Sequence, residues 1–218
     1  MMSYLGISIL LAIAAYFLGS IPTGYLIVKA LTGLDIREQG SGSTGATNVL
    51  RTAGKPAAIA VFVIDVLKGA AAPALVKLVY TFAPAGLLPA DWQPWLVIMA
   101  GLAAVLGHSK SIWLNFSGGK SVASGLGVLL VMNPAVALSA FGVFLAVLGI
   151  SRIVSLGSII AAIAVSALMV LFGQPLAYCL FAALAGIYVI VRHRTNIQRL
   201  LAGTEPRIGQ KLETEAKS

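Results

Sequence analysis

Three short segments concentrate the residues able to do chemistry in this 218-residue chain. The first reads Gly40-Ser41-Gly42-Ser43-Thr44-Gly45-Ala46-Thr47-Asn48, with Arg51, Gly54 and Lys55 just beyond. Glycines let a backbone come close to an anion, N–H groups opening the following helix favour negative charge, and Arg51 is placed to clamp a phosphate in bidentate fashion. A flexible linker has no need of hydroxyls, an amide and an arginine interleaved with its glycines. The string also satisfies G-x-G-x-x-G, and Asp65 stands 20 residues past Gly45, where a dinucleotide fold puts its ribose-binding acid. No strand precedes these glycines, however, and Asp65 falls inside an apolar run, which excludes that fold.

The second segment runs from Gly107-His108-Ser109-Lys110 to Phe116-Ser117-Gly118-Gly119-Lys120-Ser121 and leads into an apolar helix. Its end imitates a P-loop, but Leu114 occupies the position where that loop needs a glycine, so nucleotide hydrolysis is discarded. What remains is a glycine turn delivering Lys120 to a helix N-terminus, again a phosphate-suited arrangement. The third segment is Arg192-His193-Arg194-Thr195-Asn196-Ile197-Gln198-Arg199, continuing to Gly203, Thr204 and Glu205. Arg194 and Arg199 suit a positive-inside stop signal, whereas His193 and Asn196, three apart on one helical face, add no charge to an anchor. Two smaller features complete the set. Asp65 and Lys68, at i and i+3 within an apolar run, read as a structural ion pair, because lone intramembrane charges are costly. Ser155 and Ser158 open a later apolar run beside Arg152, where helix capping and substrate contact both remain open.

The elements that must position these groups are apolar helices. The chain is 59% hydrophobic and 10% charged, against roughly a quarter charged in soluble domains, so lipid is its main solvent. Seven runs approach the length of a membrane span: 4–31, 56–80, 92–107, two short ones on either side of Asn133-Pro134 within 122–150, 153–172 and 174–191. The pair around Asn133 is alternatively a re-entrant segment. The alanines at 12, 14 and 15 imitate a signal-peptide cleavage site, but no basic region precedes them, so the first run is expected to be a span. Seven spans place 13 of the 15 Lys and Arg on one side, leaving only Lys68 and Lys77 within a span. That predicts an all-α polytopic bundle with its N-terminus outside and its C-terminus cytoplasmic. Much of the net charge of +8 is therefore topological, with no need of a nucleic-acid partner. The single cysteine, Cys179, excludes an intramolecular disulfide.

In this order and on one side of the membrane, the three segments resemble the PlsY family of acyl-phosphate:glycerol-3-phosphate acyltransferases. The likeness rests on GSG..GATN...R..G at 40–54, GH.......FSGGK.VAS.LG at 107–127 and RH..NI.RL..G.E at 192–205, and covers nearly the whole chain. Ser43, Ser111 and Ser121 depart from the Asn, Pro and Gly usual in that pattern. The resemblance implies one integral-membrane domain over 1–218, with a short charged cytoplasmic tail from about 204, in a bacterial inner membrane. It implies transfer of a fatty acyl group from acyl phosphate to the 1-hydroxyl of sn-glycerol 3-phosphate, giving lysophosphatidic acid and phosphate as the first acylation of phospholipid biosynthesis. No cofactor or metal is implied, and functional coupling to an acyl-phosphate-producing enzyme is.

On that resemblance, Ser41, Arg51, Lys120, His193 and Asn196 are the expected catalytic residues. Arg51, Lys120 and His193 would hold glycerol phosphate, Asn196 would fix the pocket, and Ser41 with its glycines would cradle the acyl-phosphate head. Gly40, Gly42, Ser43, Thr44, Gly45, Thr47, Asn48, His108, Gly118, Gly119, Ser155 and Ser158 are the expected substrate-binding set. Neither histidine begins a His-x4-Asp pair, since Trp113 follows His108 and Gln198 follows His193. The base is then the donor's own phosphate or His193. Two rivals fit less well. An anion transporter would bind within its spans and show inverted repeats, which are not found here. A metal-dependent phosphatidyl transferase needs clustered carboxylates, and Asp35, Glu38 and Asp65 are too few and too scattered.

Overall fold

The computed structural model describes residues 4–84 and 86–210, all helix and connecting loop among them. The charged residues Lys211 to Ser218 lie outside the described residues. Among the described residues, nine α-helices follow one another: α1 (Tyr4–Ser20), α2 (Thr23–Thr32), α3 (Ala46–Phe82), α4 (Gln93–Ser109), α5 (Val122–Met132), α6 (Pro134–Ser151), α7 (Val154–Leu171), α8 (Leu176–Arg192) and α9 (Arg194–Leu201).

Local chemistry explains the breaks. Pro22 separates α1 from α2 because it has no N–H to continue the ladder. Gly54, at φ 85°, kinks α3 eight residues after it begins, and Pro56 falls in the first turn of the new segment, where a missing N–H costs nothing. Asn133 ends α5 and starts α6: its Oδ1 accepts from Val136 N at 3.1 Å, with Pro134 at the first helical position.

Among the described residues, five helical stretches are long and apolar enough to cross a membrane: Tyr4–Thr32, Ala46–Phe82, Ala90–Ser109, Pro134–Ser151 and Val154–Leu171. A sixth appears if α8 and α9 count together across their 61° bend. Seven spans were expected, and α5 is the one that falls short. Its 11 residues cover about 16 Å, roughly half a hydrocarbon core.

The helices pack around α3, α4 and α5, and α3 and α5 cross in close contact. A Cβ at Gly69 would strike the Ser124 carbonyl, and one at Gly127 would strike the Val66 carbonyl, so only glycine permits this approach. Val97, Val128, Met169 and Phe181 fill the interior between α4, α5, α7 and α8, whereas Ile150, Leu171, Leu176 and Leu201 point outward. An apolar exterior over such a core is what a lipid-solvated protein presents. The starts of α3, α5 and α7 and the ends of α4, α6 and α8 meet at one end of the bundle, so the three polar segments converge there.

Candidate active site

Twelve of the expected site residues line one cavity of about 170 Å³ at that end: Ser41, Ser43, Gly45, Thr47, Asn48, Arg51, His108, Lys120, Ser155, Ser158, His193 and Asn196. Gly40, Gly42, Thr44, Gly118 and Gly119 stand behind its wall. The two latter glycines serve the loop instead. Gly119 N donates to His108 O at 3.2 Å, and a Cβ at Gly119 would collide with the His108 ring. Arg192 Nη2 donates to the Gly119 carbonyl at 3.1 Å from the other side.

Three helices open onto the cavity with N-termini that carry no side-chain cap. Gly45, Ala46 and Thr47 begin α3, Ser121, Val122 and Ala123 begin α5, and Val154 and Ser155 begin α7. Uncapped first-turn N–H groups are unsatisfied donors with partial positive charge, so three such N-termini facing one space can receive an anion. Arg51 adds a full positive charge on the exposed side of α3's first turns.

Asn48 is spent on the first loop. Its Nδ2 donates to the carbonyls of Gln39 at 2.9 Å and Ser43 at 3.0 Å, while its Oδ1 accepts from Ser41 N at 3.1 Å. It shapes the strand of backbone that carries Ser41 and Ser43 to the cavity.

A relay of side chains crosses the opposite wall. Lys120 Nζ donates to Asn196 Oδ1 at 2.5 Å, Asn196 Nδ2 donates to Glu205 Oε1 at 2.6 Å, and Ser155 Oγ donates to the same oxygen at 2.7 Å. Arg199 Nε donates to Glu205 Oε2 at 2.7 Å. Burial pushes the Lys120 ammonium down to about 8, partly offset by Glu205, so it stays largely charged at neutral pH. Burial alone would raise the Glu205 carboxyl, but hydrogen bonds from Asn196, Ser155 and Arg199 outweigh it and hold the group below the ordinary glutamate value.

His193, at the junction of α8 and α9, is buried, and desolvation pushes it down to about 4, so it is neutral at physiological pH. Its Nδ1 lies 2.7 Å from Val189 O, and a carbonyl only accepts, so Nδ1 carries the proton and Nε2 is the acceptor nitrogen. His108 lies deeper. Asp65 Oδ1 is 2.8 Å from Lys68 Nζ, accepts from Thr23 Oγ1 at 3.0 Å, and is 3.6 Å from His108 Nδ1. Lys68 also donates to Ile21 O at 2.7 Å, so this buried pair ties the α1–α2 break to the cavity floor.

Arg199 and Glu205 reach the cavity without having been singled out as site residues. The signal available was Glu205 as the only acid of the basic third segment.

The family model for glycerol-3-phosphate acyltransferase matches residues 9–203. A glycerol-3-phosphate acyltransferase of Rippkaea orientalis is 68% identical over 212 residues, covering 97% of this chain and 98% of its own, and one of Crocosphaera subtropica is 60% identical with 96% and 97% covered. The chain belongs to the PlsY family of glycerol-3-phosphate acyltransferases. The crystal structure of PlsY (YgiH), an integral membrane glycerol 3-phosphate acyltransferase, superposes in its glycerol 3-phosphate form with a TM-score of 0.83 at 41% identity, covering 94% of this chain and 96% of that one. Its lysophosphatidic acid form superposes with a TM-score of 0.81 at 40% identity and the same coverage. As a PlsY-family acyltransferase, this protein is an enzyme and a multi-pass integral membrane protein. Ser121 sits at φ 63°, a left-handed conformation that glycine adopts without strain, and a bond from Ser121 Oγ to Val105 O at 2.7 Å compensates.

Proposed function

We propose that this enzyme uses acyl phosphate as its donor, acylating the 1-hydroxyl of glycerol 3-phosphate to lysophosphatidic acid with release of phosphate. One observation carries the reading: the cationic cavity adjoins an apolar one. The second cavity, about 110 Å³, is lined by residues of α3, α5, α6, α7 and α8, and the two share Phe62, Ser121, Val122, Ala123, Phe144 and Ser158 as walls. Phosphate chemistry and an acyl tail thus meet at one boundary.

In this reading Arg51 and Lys120 hold the phosphate of glycerol 3-phosphate, and Asn196 fixes Lys120. Ser41 and the opening turns of α3 and α5 bind the acyl-phosphate head, while Ser155 and Ser158 shape the wall between them. The 1-hydroxyl oxygen attacks the acyl carbonyl carbon. The bond from that carbon to the phosphate oxygen breaks, and the proton passes to the departing phosphate. No base stronger than the departing phosphate is needed, because the mixed anhydride carries a good leaving group whose charge the helix N-termini and cations stabilise. His193 Nε2 accepts a hydrogen bond from the attacking hydroxyl and orients it.

The charge distribution supports a cytoplasmic cavity in a bacterial inner membrane. Helices α1 and α3 to α8 then act as seven alternating crossings of one domain, with α5 a short one and the N-terminus outside. Purified protein offered glycerol 3-phosphate with acyl phosphate, acyl-CoA or acyl carrier protein in turn tests the donor. Lysophosphatidic acid and free phosphate are expected from acyl phosphate, and their absence there, with product from a thioester, refutes it.

A further inference from the structure

We propose that Phe62, Phe141 and Phe144 form a lateral gate in the seam between α3 and α6, through which the fatty acyl chain of the donor passes from the bilayer into the apolar cavity. The inference rests on the reading above, that the donor carries its acyl chain into that cavity. A fatty chain held in lipid gains about 0.8 kcal/mol per methylene, so a long-chain donor arrives from the membrane plane rather than through water. The chain must then enter the cavity sideways, between two of the helices that line it.

Most seams around the cavity are sealed by backbone. Glycine at 69 and 127 brings α3 against α5, Gly157 lies against Phe144 and its carbonyl between α7 and α6, and Gly186 approaches the Ala162 carbonyl between α8 and α7. Between α5 and α8 the cavity backs onto the core, where Gly101 of α4 packs on Val128 and Phe181. The seam between α3 and α6 is different, because it is closed by rings. Phe62 stacks on Phe141 with centroids 6.3 Å apart and planes 25° apart, and Phe141 on Phe144 at 6.0 Å and 11°.

Helix α6 is also built to yield there. Its buried residues, Val136, Ala137 and Ala140, all fall in its first two turns, and from Phe141 to Ser151 none of its residues is buried. The half of α6 nearer the polar cavity thus leans on α7 and touches α3 through the rings. A Cβ added at Gly125, which lines the cavity, would meet nothing within 4 Å, so the cavity has open space at α5. Phe62 and Phe144 wall both cavities, which puts the opening beside the point where head group and tail part.

The test is a reversible clamp on the seam. Phe62 and Phe141 are replaced by Cys in a Cys179→Ser background, the protein is placed in vesicles, and the pair is bridged with a cleavable thiol-specific cross-linker. Transfer to glycerol 3-phosphate is measured before bridging, after it and after cleavage, with a long-chain acyl phosphate and with a water-soluble four-carbon one. Bridging should cut the long-chain rate tenfold or more and the short-chain rate less than about twofold, with cleavage restoring it. An undiminished long-chain rate, or equal loss with both donors, overturns the gate. Phe141→Ala gives a second reading: removing the middle ring should raise or preserve long-chain turnover, and a loss confined to long chains would overturn it. Absence of product from either acyl phosphate with the unaltered enzyme would instead remove the parent reading of the donor, and the gate with it.

Discussion

Glu205→Gln isolates the electrostatic role of the wall opposite Arg51. The glutamine keeps shape and one carbonyl acceptor but removes the negative charge that faces Lys120 through the Asn196 amide. With two hydrogen bonds and an amide between them, the charges lie roughly 7 Å apart, and Coulomb's law at an effective dielectric of 20 to 40 gives about 1 to 2 kcal/mol, or about one pKa unit. Lys120, now at about 8, should fall to about 7. A lysine is charged below its pKa, so the damage grows with pH. The charged fraction would drop from about 97% to about 76% at pH 6.5, from about 76% to about 24% at pH 7.5, and about eightfold at pH 8.5.

The assay is kcat/KM for glycerol 3-phosphate across pH 6 to 9, which reports groups of the free enzyme. The expected signature is an alkaline limb displaced by about one unit, with a loss of about threefold at pH 7.5 that nearly vanishes at pH 6.5. A thermal unfolding curve in detergent separates this from misfolding, since Arg199, Ser155 and Asn196 all lose strength in their bonds to the side chain. A properly folded variant whose loss is the same at every pH would refute the coupling between Glu205 and Lys120.

Other substitutions address the remaining parts. His193→Gln keeps a hydrogen-bonding side chain and should lower turnover at saturating substrate by less than about tenfold, whereas a general base is worth about a hundredfold or more; a loss of that size would make His193 the base. Arg51→Lys preserves charge but not the planar fork, and KM for glycerol 3-phosphate should rise about tenfold with a smaller change in kcat; an unchanged KM would place the phosphate elsewhere. Gly127→Val forces a branched side chain into the Val66 carbonyl and should lower thermal stability by at least about 3 kcal/mol or prevent assembly; a stable variant would show that α3 and α5 can part.

The helices were legible because apolar runs and their punctuation are local: Pro22, Gly54 and the Asn133-Pro134 pair each mark a break by their own backbone chemistry. The weak point in the count of spans was legible too: Asn133-Pro134 cuts the run at 122–132 short, and α5 does end after 11 residues because Asn133 caps the next helix. The cationic face of the cavity was legible for the same local reason, since glycines, hydroxyls and bases cluster within single segments. Asn48 shows the limit of that reading: an amide in a phosphate-suited loop is as well suited to holding the loop, and only its four carbonyl and N–H partners show that it does the second.

Glu205 and the three phenylalanines were harder to find for a common physical reason. A carboxylate beside a phosphate site looks unfavourable in sequence, because like charges repel. Its place becomes intelligible only once Arg199 neutralises it and Asn196 passes its influence to Lys120, a partnership spanning 85 residues that no motif contains. Phe62, Phe141 and Phe144 are ordinary membrane-helix residues until α3 and α6 are seen to meet through them. The chemistry of a phosphate site is written in residue types, whereas its charge balance and its access from lipid depend on which helices are neighbours. An enzyme that joins a water-soluble phosphate to a membrane-bound chain needs both, which is why its sequence motifs describe the cationic half of the site and say little about the apolar half.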